Sequence, residues 1–210
     1  MKTLYRGKIF TFNQSANLQN LQGVIPDALF VNDERFTFLR DGAIIVENGK
    51  ISAVGDYNEI SSLLSSEDKT VDYRGKLITP GFIDTHIHAT QTSSVSAYGE
   101  KLLTWLDNYV FPSEVAFNSE QSGRREYDIL LKQLFKNGTT SICAYLPTSY
   151  DGADLIFEMT DKYNMRVIMG NTIMTHGNAK LITNPQTSMK ISEKLYNKWH
   201  GVNRSSYALT

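Results

Sequence analysis

Residues 80–91, with the sequence PGFIDTHIHATQ, decide how the rest of the chain is interpreted. A Pro-Gly pair interrupts the preceding structure, and an apolar run then leads to Asp84, His86 and His88. Side chains two residues apart on a β-strand point to the same face, so these three are expected to share one face. Two neutral imidazoles there can bind one zinc ion at about 2.0–2.1 Å each. The stretch therefore predicts metal ligands at His86 and His88. Asp84 is a candidate hydrogen-bond partner for a ligand imidazole or a metal-bound water.

The composition is typical of a soluble globular protein and allows one large or two small domains. Of the 210 residues, 41% are hydrophobic and 20% are charged, and the net charge is −1. This charge balance gives no reason to expect nucleic acid or an anionic membrane as a partner. Cys143 is the only cysteine, so an internal disulfide is excluded. Without a signal-peptide pattern or a membrane-spanning apolar run, we expect a cytoplasmic protein.

Residues 1–79 have the pattern of a small β-domain. Strands are predicted over residues 8–12, 36–39, 43–47, 50–54, 70–73 and 76–79, and a short helix over 58–65. The clearest local signal is Asn48-Gly49 between two apolar runs, because a type I′ turn needs positive φ at both central residues. It predicts a β-hairpin.

After residue 91 the pattern changes to alternating helices and strands. Helices are predicted over residues 100–110, 120–136, 154–163 and 188–200, with a Phe-Pro pair ending the first of them. Strands are predicted over residues 139–145, 166–174 and 206–210. Such alternation indicates a parallel sheet with crossover helices, in about three and a half βα units.

The stretch around the two histidines resembles the first-strand signature of the amidohydrolase superfamily of metal hydrolases. The resemblance implies that this strand is the first of a (β/α)8 barrel with both ligands at its C-terminal mouth. A closed barrel typically needs about 250 residues, so residues 80–210 are expected to supply only its first three to four βα units. Residues 1–79 would be the N-terminal portion of a composite β-sandwich. The expected fold is therefore α/β: a small β-sandwich portion followed by about half of a TIM barrel, in an N-terminal fragment.

Further motifs resemble the guanine deaminase family over nearly the whole chain. They are LLTWL at 102–106, YVFPSE at 109–114, KNGTT at 136–140, KWHG at 198–201 and YALT at 207–210. This resemblance implies hydrolytic deamination of guanine to xanthine and ammonia by a metal-activated water. It also implies one Zn²⁺ per active site, with Fe²⁺ as an alternative, and a homodimer for the parent protein. Guanine and water are the expected small-molecule partners.

The same resemblance assigns substrate binding to His88, Ala89, Thr90 and Gln91. Gln91 is the specificity residue, since its amide can both donate to and accept from a purine edge. The proton-shuttling Glu and Asp and the remaining metal ligands of the family would lie beyond Thr210. No catalytic residue is therefore assigned in this chain. We expect weak metal binding and negligible activity from residues 1–210 alone, since two histidines are too few for a closed zinc site.

Two alternatives stay open. The protein could be another aminohydrolase of the superfamily that acts on a pyrimidine or triazine ring. It could also be a truncated, non-catalytic chain that needs a partner. The other zinc deaminase class, which uses a Pro-Cys-x-x-Cys motif, is excluded by the single cysteine.

Three other residues are less favoured candidates for the site. His176 follows a predicted strand, where a solvated loop histidine is favoured over a ligand. His200 ends a predicted helix, where a structural role is favoured. Trp105 can pack in the core or border the substrate loop, and its leucine neighbours favour the core.

Overall fold

The computed structural model of the protein describes residues 1–12, 36–99, 101–117 and 120–210. These residues divide into two compact units, Met1–Pro80 and Gly81–Thr210. Within the described ranges, each unit holds one four-stranded sheet. None of the helices in these ranges has the length and apolar character that crossing a membrane requires.

The unit Met1–Pro80 is built on a mixed sheet in the order β3-β2-β1-β4. Its strands are β1 (Lys2–Phe12), β2 (Phe36–Glu47), β3 (Lys50–Asp56) and β4 (Lys69–Ile78). β1 pairs antiparallel with β2 and parallel with β4. A short helix, α1 (Tyr57–Ile60), packs with a small core made of Leu4, Ala43 and Ile45. The described residues of this unit thus form one mixed sheet, and the second sheet of a sandwich is not among them.

The predicted hairpin is confirmed. β2 and β3 pair antiparallel, and the turn residues Asn48 and Gly49 have φ values of 51° and 74°. Both central residues are in the left-handed region that a type I′ turn needs. Local sequence alone therefore predicted this turn correctly.

Two strands were predicted over residues 70–73 and 76–79, but residues 70–78 belong to the single strand β4, which ends at Ile78. The pairing of β4 with β1 is interrupted at the position between the two predicted strands, where Gly75 has φ 85°. Arg74 folds back there, and its Nε donates to Asp72 at 2.8 Å. The Arg-Gly pair makes a bulge, because β1 continues past it and keeps both halves in one ladder.

The unit Gly81–Thr210 is built on a parallel sheet in the order β5-β6-β7-β8. Its strands are β5 (Phe82–His88), β6 (Thr139–Leu146), β7 (Arg166–Asn171) and β8 (Ser205–Tyr207). The helices α2 (Leu102–Trp105), α3 (Phe111–Ala116) and α4 (Glu120–Lys136) connect β5 to β6. α5 (Tyr150–Lys162) connects β6 to β7, and α6 (Pro185–Trp199) connects β7 to β8. The α/β class with crossover helices is confirmed.

The core of this unit lies between the helices and one face of the sheet. On β6 the alternate residues Ile142, Ala144 and Leu146 are buried, whereas the residues between them are partly exposed. Side chains of α4, α5 and α6 join the same cluster. One face of the sheet is therefore covered by helices, and the alternate positions of β6, including Tyr145, lie on the other face.

The connection after β5 differs from the single helix predicted over residues 100–110. α2 continues into one π-helical turn at Leu106–Val110 and then into α3. Pro112 does not end the helix but lies in the first turn of α3, where its missing N–H is not needed. The wider turn breaks the 3.6-residue period, so Leu102 is exposed whereas Val110 is buried. Glu100, the predicted first residue, lies outside the described residues.

Candidate active site

The two predicted metal ligands lie together at the C-terminal end of β5. The ring centroids of His86 and His88 are 5.5 Å apart, with planes at 72°. Two imidazoles that bind one tetrahedral zinc ion at about 2.0–2.1 Å would have centroids about 5 Å apart. The pair therefore fits two ligand positions of one ion. No cluster of three or more His, Cys, Asp or Glu side chains able to hold a metal occurs in the described ranges. The role of these two histidines as ligands of a four-coordinate site therefore stays a prediction.

Tyr145 on β6 packs against both imidazoles. It lies opposite His88 in the ladder, and the two rings stack at 4.8 Å with an interplanar angle of 16°. The ring of His86 meets Tyr145 edge-on at 5.2 Å. Burial lowers the pKa of His88, and the neighbouring His86 lowers that pKa further. The neutral imidazole, which is the form that binds metals, is therefore favoured at neutral pH.

Asp84 makes a different contact from the one predicted for it. The pairing of β5 with β6 is irregular after Asp84, which lies opposite the core residue Ile142, whereas His88 lies opposite Tyr145. One extra residue on a strand reverses the alternation of faces, so the parity argument does not hold across this bulge. The Oδ1 of Asp84 accepts the backbone N–H of His86 at 3.0 Å. The carboxylate of Asp84 therefore stabilises the backbone at His86. A hydrogen bond from Asp84 to a metal-ligand imidazole or to a metal-bound water stays a prediction.

The imidazoles border a cavity of about 780 Å³. Its walls include His86, His88, Gln91 and Trp105. Small-molecule sites typically measure about 300–1,000 Å³, so the cavity is large enough for a single heterocyclic ring system. Of the predicted substrate-binding residues, His88 and Gln91 face this space. Ala89 and Thr90 are buried and do not line it.

Trp105 lies on the cavity wall rather than in the core that the sequence favoured for it. Its indole Nε1 donates to the carbonyl of Ala97 at 3.0 Å, which fixes the ring plane. The side chain is only partly buried. Of the two placements considered for Trp105, the structure favours the one in which it borders the substrate loop over packing in the core.

Glu114 contacts the predicted substrate-binding segment, a role that its place in the YVFPSE motif at 109–114 did not indicate. Its side chain on α3 is 8% exposed and sits behind the cavity. Its Oε1 accepts from Thr90 Oγ1 at 3.3 Å and from Gln91 Nε2 at 3.5 Å. Burial raises the pKa of Glu114, and the two hydrogen bonds oppose that rise. Because 23 residues separate Gln91 from Glu114, no local pattern could have predicted the contact.

Two further histidines lie away from the cavity. His176 is exposed, with its Nδ1 3.0 Å from the hydroxyl of Thr175. His200 follows α6, and its Nδ1 accepts the backbone N–H of Tyr207 at 3.2 Å. The role of His200 is thus structural, as the sequence predicted.

Comparison with known proteins identifies relatives of this chain. The amidohydrolase family model matches residues 77–205. The guanine deaminase of Escherichia coli (strain K12) is 35% identical over 174 residues, which are 82% of this chain and 40% of that protein. The solved structure of guanine deaminase from E. coli superposes with a TM-score of 0.87 at 31% identity, over 99% of this chain and 46% of that one.

A second solved structure is that of guanine deaminase from C. acetobutylicum with guanine bound in its active site. It superposes with a TM-score of 0.79 at 25% identity, over 100% of this chain and 46% of that one. The chain thus spans less than half the length of each of these relatives.

Proposed function

Because this chain belongs to the amidohydrolase family and is guanine deaminase-like, we propose that its parent protein hydrolyses guanine to xanthine and ammonia. The observation that carries the proposal is the cavity that His86, His88 and Gln91 line together. It combines two fixed imidazoles with an amide that can recognise a purine edge. The likeness to a relative solved with bound guanine supports the same substrate.

We assign the metal site to His86 and His88, with zinc as the metal and ferrous iron as the alternative. Bound there, the metal would lower the pKa of a water ligand toward about 7, which supplies a nucleophile at neutral pH. The chain's own residues prepare the site. Tyr145 packs on both imidazoles and restricts their rotation. Trp105 adds apolar surface to the wall of the cavity.

Gln91 would orient the purine by offering an acceptor and a donor to its edge. His88 would complete the substrate-binding segment together with the backbone of Ala89 and Thr90, whose side chains are buried. Deamination also requires a proton to move from the attacking water to the leaving amine. We place the groups that carry it, and the other metal ligands, in the part of the relatives that this chain does not span.

The same proposal extends to the architecture of the parent protein. Strands β5–β8 would be the first four strands of a (β/α)8 barrel, with residues 80–210 forming its first units. Residues 1–79 would belong to a composite β-sandwich. A cytoplasmic homodimer with one metal per active site is the form we propose.

The test is turnover by the complete, zinc-loaded protein, followed as xanthine formed and ammonia released from guanine. We expect turnover by the complete protein and negligible turnover by residues 1–210 alone. Release of ammonia from a pyrimidine or triazine amine but not from guanine would contradict the substrate. Release from none of them would favour a non-catalytic chain that works with a partner.

Replacing Gln91 by alanine in the complete protein is expected to lower kcat/KM for guanine by about 10- to 100-fold, mainly through KM, because the substrate loses its oriented hydrogen bonds. Steady-state kinetics measure this effect. The matched control is Gln121→Ala, at an exposed position on α4. Unaltered guanine affinity in Gln91→Ala would refute the role of Gln91.

A further inference from the structure

Behind the cavity, the buried carboxylate of Glu114 faces the amide of Gln91. We propose that Glu114 is a positioning residue that sets which way the Gln91 amide is turned, and so helps to select ring substrates that present an N–H at the recognised edge. The inference rests on the proposed function, which it deepens by naming the origin of substrate selection. It is carried by the hydrogen bonds between α3 and residues 90–94.

Two donors converge on one oxygen of Glu114. Thr90 Oγ1 and Gln91 Nε2 lie 3.3 Å and 3.5 Å from Oε1, and the carboxylate is 8% exposed. An ionised carboxylate can only accept hydrogen bonds. While Glu114 is ionised, Gln91 must therefore turn its Nε2 toward it, which leaves the Oε1 of Gln91 available to accept a hydrogen bond from a substrate. The oxygen and nitrogen of an amide are nearly equal in size, so without such a partner the amide can flip at little steric cost.

The backbone that carries Gln91 is held separately. Ser113 Oγ donates to the carbonyl of Thr90 at 2.6 Å, and it lies 2.7 Å from Ser93 Oγ. Ser94 Oγ donates to the carbonyl of Gln91 at 2.9 Å. These bonds restrict where the amide can be, whereas among the residues that the structure describes only Glu114 distinguishes its two orientations. Ser113 and Ser94 therefore hold the backbone around Gln91, whereas Glu114 orients its amide. Mutation can test these two effects separately.

The orientation has a consequence for the substrate. One of the two Nε2 hydrogens of Gln91 is donated to Glu114. Gln91 then offers the substrate its Oε1 as an acceptor and the other Nε2 hydrogen as a donor. Guanine presents N1–H and its 2-amino group as neighbouring donors beside the 6-oxo acceptor. The related ring 2-aminopurine carries the same reactive amine but has an unprotonated N1 and no oxo group. A fixed amide favours guanine, and an amide that is free to flip discriminates less.

The first experiment compares kcat/KM for guanine and 2-aminopurine in the complete, metal-loaded protein and its Glu114→Gln variant. Glutamine keeps the size of the side chain but can donate as well as accept, so it no longer imposes one orientation. We expect the preference for guanine to fall about tenfold. Glu120→Gln, an exposed position at the start of α4, is the matched control and should leave the preference unchanged. An equal loss for both substrates, or no loss, would overturn the proposal, because a merely structural role would not change the ratio.

A second measurement does not depend on turnover. The side-chain amide signals of Gln91 are followed by NMR in protein labelled with ¹⁵N-glutamine and assigned through Gln91→Ala. We expect them to shift in Glu114→Gln but not in Glu120→Gln. If the complete protein does not turn over guanine but its Gln91 signals shift in Glu114→Gln, the proposed function is refuted and the positioning role is supported. Unshifted Gln91 signals would refute the positioning role itself.

If Glu114→Gln does not fold, the wild-type protein still decides the question. The Nε2 hydrogens of Gln91 should exchange with solvent more slowly than those of the exposed Gln121, because one of them is held by a buried carboxylate. Equal exchange rates would contradict the proposal.

Discussion

Replacing His88 by alanine in the complete protein is expected to abolish guanine deamination and to lower the metal content at the same time. His88 is one of the two imidazoles assigned to the metal, and its ring is held by stacking on Tyr145. Loss of a hydrogen-bond partner of a ligand typically costs 10- to 100-fold in activity or metal affinity, so loss of the ligand itself should cost at least about 10³-fold. Steady-state kinetics and metal analysis by mass spectrometry, on the same preparation, measure the two effects.

His176→Asn is the matched control, since His176 is exposed and does not line the cavity. It should keep both the activity and the metal. A His88→Ala protein with full metal content but no activity would move His88 from metal binding to substrate binding. A His88→Ala protein that keeps both its activity and its metal content would refute the assignment of His88 to the site.

Replacing Phe157 by alanine is expected to lower the free energy of unfolding by about 3–5 kcal/mol, which is the usual cost of removing a fully buried aromatic ring. Phe157 on α5 is 0% exposed, and its ring stacks on that of Trp199 of α6 at a centroid distance of 5.6 Å. The truncation therefore leaves a cavity between two crossover helices. Urea denaturation should show a lower midpoint with an unchanged m-value.

The control for this effect is Phe135→Ala. Phe135 is on α4, is 36% exposed, and contacts Tyr163 at 5.6 Å. Because less apolar surface is lost from the interior, we expect a much smaller destabilisation, of about 1 kcal/mol. Equal costs for the two variants would contradict the expectation that burial of the ring sets the size of the loss.

Elements with a strong local signal were predictable from the sequence. The hairpin depends on Asn48-Gly49, whose positive φ values are a property of those two residues. The helix predicted over residues 120–136 is α4, with the same bounds. α6 begins three residues before its predicted start, because Asn184 Oδ1 accepts the N–H of Gln186 and a proline occupies the first turn. In each case the deciding interactions lie within a few residues of one another.

Elements whose form depends on a distant partner were not predictable. β4 is one strand because β1 pairs with it on both sides of the bulge at Gly75. The irregular pairing after Asp84 arises from the register that β6 imposes on β5. Strand pairing acts between residues that are far apart in sequence, so a local pattern cannot reveal where a ladder slips by one residue.

The sequence by itself determined the family of the chain, because the motif at residues 80–91 lies within a single stretch. It also singled out His86, His88 and Gln91, which line one cavity in the structure. Only the tertiary structure decided what surrounds them. Tyr145 comes from the neighbouring strand, and Glu114 comes from a helix that reaches back to Gln91. The reason is physical: a motif within one stretch is defined by residue order alone, whereas the groups that pack on it from other elements meet only when the sheet and helices assemble.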